Sequence, residues 1–136
     1  MATYNKFNQT VEDMANGVYN CASDQFVVAL TVASPAATNT VLADLTEISY
    51  TNLSSRNLTT ASSGQTSGTF AQLFGDLVLT ASGGAVAAFR YIIIYNDTPT
   101  SPADPLLCYY DFGSSLALAD GETLTIDFTT SSFTLA

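Results

Sequence analysis

A chain of 136 residues, 47% hydrophobic and only 11% charged, is long enough for one domain with its own core, and its polar surface has to come from Ser, Thr and Asn, which favours strands and turns over charged helices. The net charge of −9, with Lys6, Arg56 and Arg90 as the only cations, excludes a basic patch able to displace counterions from nucleic acid and disfavours an anionic membrane surface. The lack of histidine removes imidazole bases, Ser-His-Asp and Cys-His nucleophiles and the usual zinc ligands.

In residues 3–18, Phe7, Val11, Met14, Ala15 and Val18 recur at helical spacing. Thr3 or Asn5 can cap the start and Asn16-Gly17 supplies a stop, which predicts a short amphipathic helix over one open end of the fold. Phe7, Val11 and Met14 on its stripe are the candidate contact with a partner protein. Residues 25–32 alternate, with Phe26, Val28, Leu30 and Val32 on one face, and read as a strand. A helical turn is expected at 41–45, capped by Thr40, with Leu42 and Leu45 inward. The Ser-, Thr- and Asn-rich residues 50–68 predict exposed loop or edge structure with weak strand character at 58–61. Short strands are expected at 69–74 and 77–81.

Residues 85–96 form the longest β-branched and aromatic run in the chain, started by Gly83-Gly84 and stopped by Asn96-Asp97-Thr98-Pro99. Phe89, Tyr91, Ile93 and Tyr95 fall on one face, and Val86, Arg90, Ile92 and Ile94 on the other. Both faces are largely apolar, as suits a central strand covered on two sides. Further strands are expected at 106–112, 116–118, 122–128 and 133–135, with Leu124, Ile126 and Phe128 inward and the Asp120-Gly121 turn before them. Closing the proline-bearing loop symmetrically sets Tyr91 against Tyr110 and Arg90 against Asp111, a structural ion pair. Strands at this spacing predict a mainly β protein: an antiparallel β-sandwich, jelly-roll or immunoglobulin-like, with a short N-terminal amphipathic helix. Residues 1–136 read as a single domain, with the helix in 1–20 and the sandwich in 25–136.

No catalytic, cofactor or metal-ligand set emerges, and an enzyme is not expected. Asp111 with Asp127 are the carboxylates that could run glycoside hydrolysis, but nothing local holds them at a working separation. Calcium is the alternative acidic reading: Asn96, Asp97 and Asp104 bracket one loop, and Asp120 and Glu122 lie on another, without EF-hand spacing. Cys108 sits in an apolar run and reads as a buried hydrophobe, with a Cys21–Cys108 bridge as the alternative. The sequence opens Met-Ala-Thr-Tyr-Asn-Lys, without an apolar stretch behind a basic one, so no signal peptide is expected. The sequons at Asn8, Asn52, Asn57 and Asn96 are then accidents of an Asn- and Thr-rich composition.

Three blocks carry a resemblance. They are Tyr4-Asn-Lys-Phe-Asn-Gln-Thr-Val-Glu-Asp-Met-Ala-Asn-Gly-Val18; Val28-Ala-Leu-Thr-Val32 followed by Ala37-Thr-Asn-Thr-Val-Leu-Ala-Asp-Leu45; and Phe89-Arg-Tyr91 through Asp104-Pro-Leu106 to Asp120-Gly-Glu-Thr-Leu-Thr-Ile126. In that order and spacing the chain resembles small structural proteins of tailed bacteriophages, found among head and tail components of the virion. The resemblance implies assembly rather than catalysis. It implies a capsid decoration or cement protein that stabilises the head, with the major capsid protein as partner, self-association as a trimer, and residence in the virion after synthesis in the host bacterial cytoplasm. A neck or tail component is the alternative, and a carbohydrate- or receptor-binding module of the virion is another. No site residues follow from the resemblance, because no motif defines them.

Overall fold

The computed structural model describes residues 3–128 and 132–135. The elements run β1 (Thr3–Lys6), α1 (Gln9–Ala15), β2 (Phe26–Thr31), a 3-10 turn (Leu42–Asp44), β3 (Thr60–Thr66), β4 (Thr69–Phe74), β5 (Leu77–Thr80), β6 (Phe89–Asn96), β7 (Leu106–Leu116), β8 (Thr123–Ile126) and β9 (Phe133–Leu135). All ladders are antiparallel. They form a four-stranded sheet in the order β1-β7-β6-β2, a three-stranded sheet β3-β4-β9 and a two-stranded sheet β5-β8. The protein is mainly β and sandwich-like, with one short helix.

The expected central strand is β6, flanked by β2 and β7 and covered on both faces. One face, with Ile92 and Ile94, joins a large core containing Phe26, Val28, Leu30, Leu107 and Cys108, closed by Phe74, Leu79 and Phe133 from the smaller sheets. The other face, with Tyr91, Ile93 and Tyr95, packs with Phe7, Val27, Ala29 and Leu106 in a second cluster, against which Leu42 and Leu45 of the 3-10 turn rest. Every residue of β2 is buried because it serves both clusters in alternation. Burial of each such side chain is worth roughly 1.5–3 kcal/mol.

Several expectations change. The strand read over 85–96 starts at Phe89, and 116–118 forms no strand beyond the end of β7. The turn at Leu42–Asp44 is closed by Asp44 on the Thr40 and Val41 amides rather than capped by Thr40. Three further differences reshape the fold. The N-terminal helix covers only Gln9–Ala15, because residues 3–6 extend instead and pair with β7, Tyr4 opposite Tyr110 and Lys6 opposite Cys108. The cap position falls to Asn8, not Thr3 or Asn5, while Asn16-Gly17 does end the helix, with Gly17 at a φ of 73°. The helical spacing of Phe7 thus coincides with the exit of a strand. Second, the β6–β7 register is one residue away from the symmetric closure, with Tyr91 opposite Asp111 and Ile92 opposite Tyr110. The cause is a bulge: Ile94 faces Cys108 and Tyr95 faces Leu106, so Leu107 is the extra residue. Leu107 and Cys108 therefore both enter the large core, and Tyr109 turns to the Ile93 side. A further irregularity between Phe89 and Tyr91 moves Phe89 into the large core, away from Tyr91 and Ile93.

Third, residues 50–68 do supply the expected edge structure, as β3, but they are not exposed throughout. Ile48, Tyr50, Leu53 and Leu58 pack on the large core, and β3 with β4 forms a hairpin turned by Ser67 and Gly68, at φ 52° and 83°. Positive φ at both loop residues is the turn whose twist matches a two-residue hairpin. Where this region meets the turn before β6, Gly84 is favoured by its φ of 153°, and any side chain there would also have to displace the end of Asn52. A Cβ there would stand 2.7 Å from Asn52 Nδ2.

Candidate interaction surface

The candidate contact residues Phe7, Val11 and Met14 do not share a surface. Phe7 is fully buried in the second cluster, its ring 5.1 Å from that of Tyr109, and has no area to offer a partner. Met14 is partly buried against the large core. Val11 alone is open, at 49% exposure. The inner side of α1 is used to hold the sheet. Beside the β7 bulge the single proton of Thr10 Oγ1 is shared between Leu106 O at 3.0 Å and Leu107 O at 2.8 Å, while Tyr19 Oη donates to Leu106 O at 2.6 Å. Asp13 is buried beside them; its Oδ1 accepts from Gln9 Nε2 at 3.3 Å, and its Oδ2 has no partner among the described residues. Burial pushes the Tyr19 phenol far up, with the Asp13 carboxylate adding to the effect.

Arg90 and Asp111 do meet, despite the shifted register. Arg90 Nε and Nη2 donate to the two Asp111 carboxylate oxygens at 2.8 and 3.0 Å, a fork-to-fork pair that remains 39% and 27% exposed. The Gly113 amide also donates to Asp111 at 2.8 Å. The Arg90 guanidinium and then this amide hold the Asp111 carboxyl below its ordinary range. Asp111 is thus engaged by Arg90, and Asp127 lies exposed just beyond β8.

Two of the loop carboxylates considered for calcium act on backbone. Asp120 accepts from Gly83 N at 3.0 Å and Glu122 from Ala119 N at 2.8 Å. Asp97 and Asp104 are close enough that burial first, and then the Asp97 charge, raises the Asp104 carboxyl above its usual value. Among the described residues no group of three or more acidic or cysteine side chains is placed to share a metal. Cys21 and Cys108 are both free thiols, so the bridge is not formed. Burial pushes Cys21 up to about 11 and Cys108 further.

Sequence reasoning missed a clasp at the outer edge of β2. The guanidinium of Arg56 lies 3.6 Å over the Tyr50 ring and donates to Val28 O. Tyr50 Oη donates to Glu47 Oε1 and accepts from Leu30 N at 3.0 Å. The signal was there in weak form, since Arg56 is one of three cations in the whole chain and has a tyrosine six residues before it. Also missed was an open cleft of about 470 Å³ lined by Tyr4, Lys6, Tyr110, Ser132, Phe133 and Thr134, in which the Tyr4 and Tyr110 rings meet edge-on at 5.6 Å. Exposed apolar side chains are scattered: Tyr4, Val11, Val32, Val78, Phe112 and Leu135. No helix among the described residues is long and apolar enough to cross a membrane.

Comparison of the chain with family models, with curated proteins and with solved structures finds no match.

Proposed function

We propose that the protein is a non-enzymatic structural component of a tailed bacteriophage virion, a decoration or cement protein that binds the assembled head and stabilises it. The reading starts from the three sequence blocks that resemble such virion proteins. The observation that carries it further is how the acidic side chains are used. Asp24 accepts from the backbone amide of Asn20, Asp44 from Thr40, Asp76 from Phe128, Asp111 from Gly113, Asp120 from Gly83 and Glu122 from Ala119. Six of the 12 acidic residues thus accept from backbone amides, Asp24, Asp44, Asp111 and Glu122 from an amide two to four residues away and Asp76 and Asp120 from a distant segment, which supports a part that keeps its shape.

Its partners are then other virion proteins, the major capsid protein first. With Phe7 and Met14 turned inward, the α1 end offers Val11, and docking uses the scattered exposed side chains and backbone at subunit junctions. Each copy needs only a modest interface, because contacts repeated over a shell add up. The acidic outer surface keeps loaded particles apart.

The carbohydrate- or receptor-binding reading is favoured by one feature, the Tyr4–Tyr110 cleft with Lys6 at its side. Particles lacking the protein separate the two. Added back, the protein is expected to bind intact heads and raise their resistance to heat and low salt. Failure to bind heads, together with binding to a glycan array that is lost in Tyr4→Ala, would replace the decoration reading with the second one.

A further inference from the structure

Three sheets present six edge strands, and five of them are short, charged or covered. The outer edge of β2 is overlaid by residues 48–58, through Val28 N to Arg56 O, Leu58 N to Phe26 O and Ile48 N to Leu30 O. The edge of β5 is met by Ser54, whose amide donates to Thr80 O at 3.0 Å. β8 is bracketed by Glu122 and Asp127, β9 has three residues, and β1 has four and ends on Lys6. Edges are ordinarily protected in such ways. β3 is different: seven residues, Thr-Ala-Ser-Ser-Gly-Gln-Thr, with no charge and no proline, mostly exposed and, among the described residues, paired on one side only. It lies in residues 48–75, which hold no Asp or Glu in a chain of net charge −9.

We propose that β3 is a self-pairing edge, through which two copies of this chain join antiparallel across a two-fold axis at Gly64. The hairpin fixes which groups are available. A two-residue loop makes Thr66 and Thr69 a hydrogen-bonded pair, and alternation then assigns Gly64 to Ala71. The amides and carbonyls of Ser63 and Gln65 are thereby directed away from β4. With the axis at Gly64, Ser63 of one copy faces Gln65 of the other, so the symmetry gives two such pairs and each outward amide and carbonyl of these residues gains one partner. Gly64 then sits at the non-hydrogen-bonded crossing, where side chains crowd most, and a Cβ there meets nothing within 4 Å in the monomer.

The occupant is a second copy because of charge. Two molecules of charge −9 repel on most approaches, and the carboxylate-free hairpin is where they meet without bringing acid against acid. Pairing is weak, since a strand of this length buries well under the roughly 1,200 Å² of a stable specific interface. It is a property of the isolated chain and is read without any particle, so its failure leaves the head-binding reading standing.

The test is sedimentation and amide exchange over a concentration series up to about 1 mM, where a Kd of 1 mM would still be visible. Ser63 and Gln65 amides are expected to exchange freely when dilute and to slow with concentration, while Gly64 stays constant. In the proposed register Ser62 faces Thr66 of the partner, so Ser62→Lys/Thr66→Lys and Ser62→Glu/Thr66→Glu should each lower the association constant at least tenfold. An equimolar mixture of the two variants should restore it. Both positions are exposed, and the melting curve of each variant checks that it folds. A monomer throughout the series, association that ignores these charges, or concentration-dependent protection elsewhere than β3 would overturn the proposal.

Discussion

β6 and β3 are strands of similar length in the same small protein, and they use their residues in opposite ways. β6 has seven buried residues out of eight and neighbours on both sides, so most of its side chains are fixed by packing and most of its backbone groups by a ladder. β3 has a single ladder and two partly buried residues out of seven. The first kind of strand sets stability, and the second leaves polar backbone for use between molecules. The price of a multilayered centre is that nothing in it can dock, as Phe7 shows.

The comparison is broken most severely in the centre. Ile94→Ala, at a fully buried site in the large core, is expected to cost about 2–5 kcal/mol in urea unfolding, while Gln65→Ala in β3 changes the midpoint within about 0.5 kcal/mol. Equal costs would mean that β3 is as fixed as β6. Next comes the link between helix and bulge: Thr10→Val leaves Leu107 O without its donor and should cost about 1–3 kcal/mol, by the same measurement.

A smaller and more local effect is expected at the clasp. Arg56→Ala should speed amide exchange at Val28 and Leu58, whose bonds join β2 to the overlying segment, and leave Ile93 unchanged. Uniform loss of protection would make the clasp part of the global fold.

The smallest effect belongs to the exposed pair Arg90–Asp111. Asp111→Asn should lower the melting temperature by only a few degrees near neutral pH. The sign with pH follows from the lowered Asp111 carboxyl. Its contribution is complete above the unfolded value of about 3.9 and is lost as pH falls through the lower folded value. The gap between the two proteins should therefore stay constant from pH 7 to about 5 and close below about 4. A gap that widens on acidification would contradict the pairing.

The centre was legible in the sequence because β-branched and aromatic residues in β6 and alternation in β2 have no other comfortable use. The Arg90–Asp111 pair was read from a symmetric closure that is one residue off, and it forms because the long arginine side chain reaches the carboxylate opposite its neighbour Tyr91. The register was not, since Leu107 and Cys108 are both apolar and patterning cannot tell which of them bulges. Phe7 misled because its spacing to Val11 and Met14 suits a helix as well as a strand exit. The clasp of Glu47, Tyr50 and Arg56 depends on a backbone carbonyl 28 residues away, which no local window contains. β3 was readable only as an edge, since Ser, Gly and Gln give no face to bury.

As a decoration protein, the proposed role, this chain would be a fixed part of a phage particle, seated on its head. A cryo-EM map of the particle that contains it tests this most directly, by fitting the sandwich-like body into density. The account predicts repeated copies on the outer surface of the capsid at subunit junctions, with the β6 core inward of the contacts and no ordered chain threading the shell. Density for the chain only at the neck or tail, or no copy in the particle at all, would contradict it.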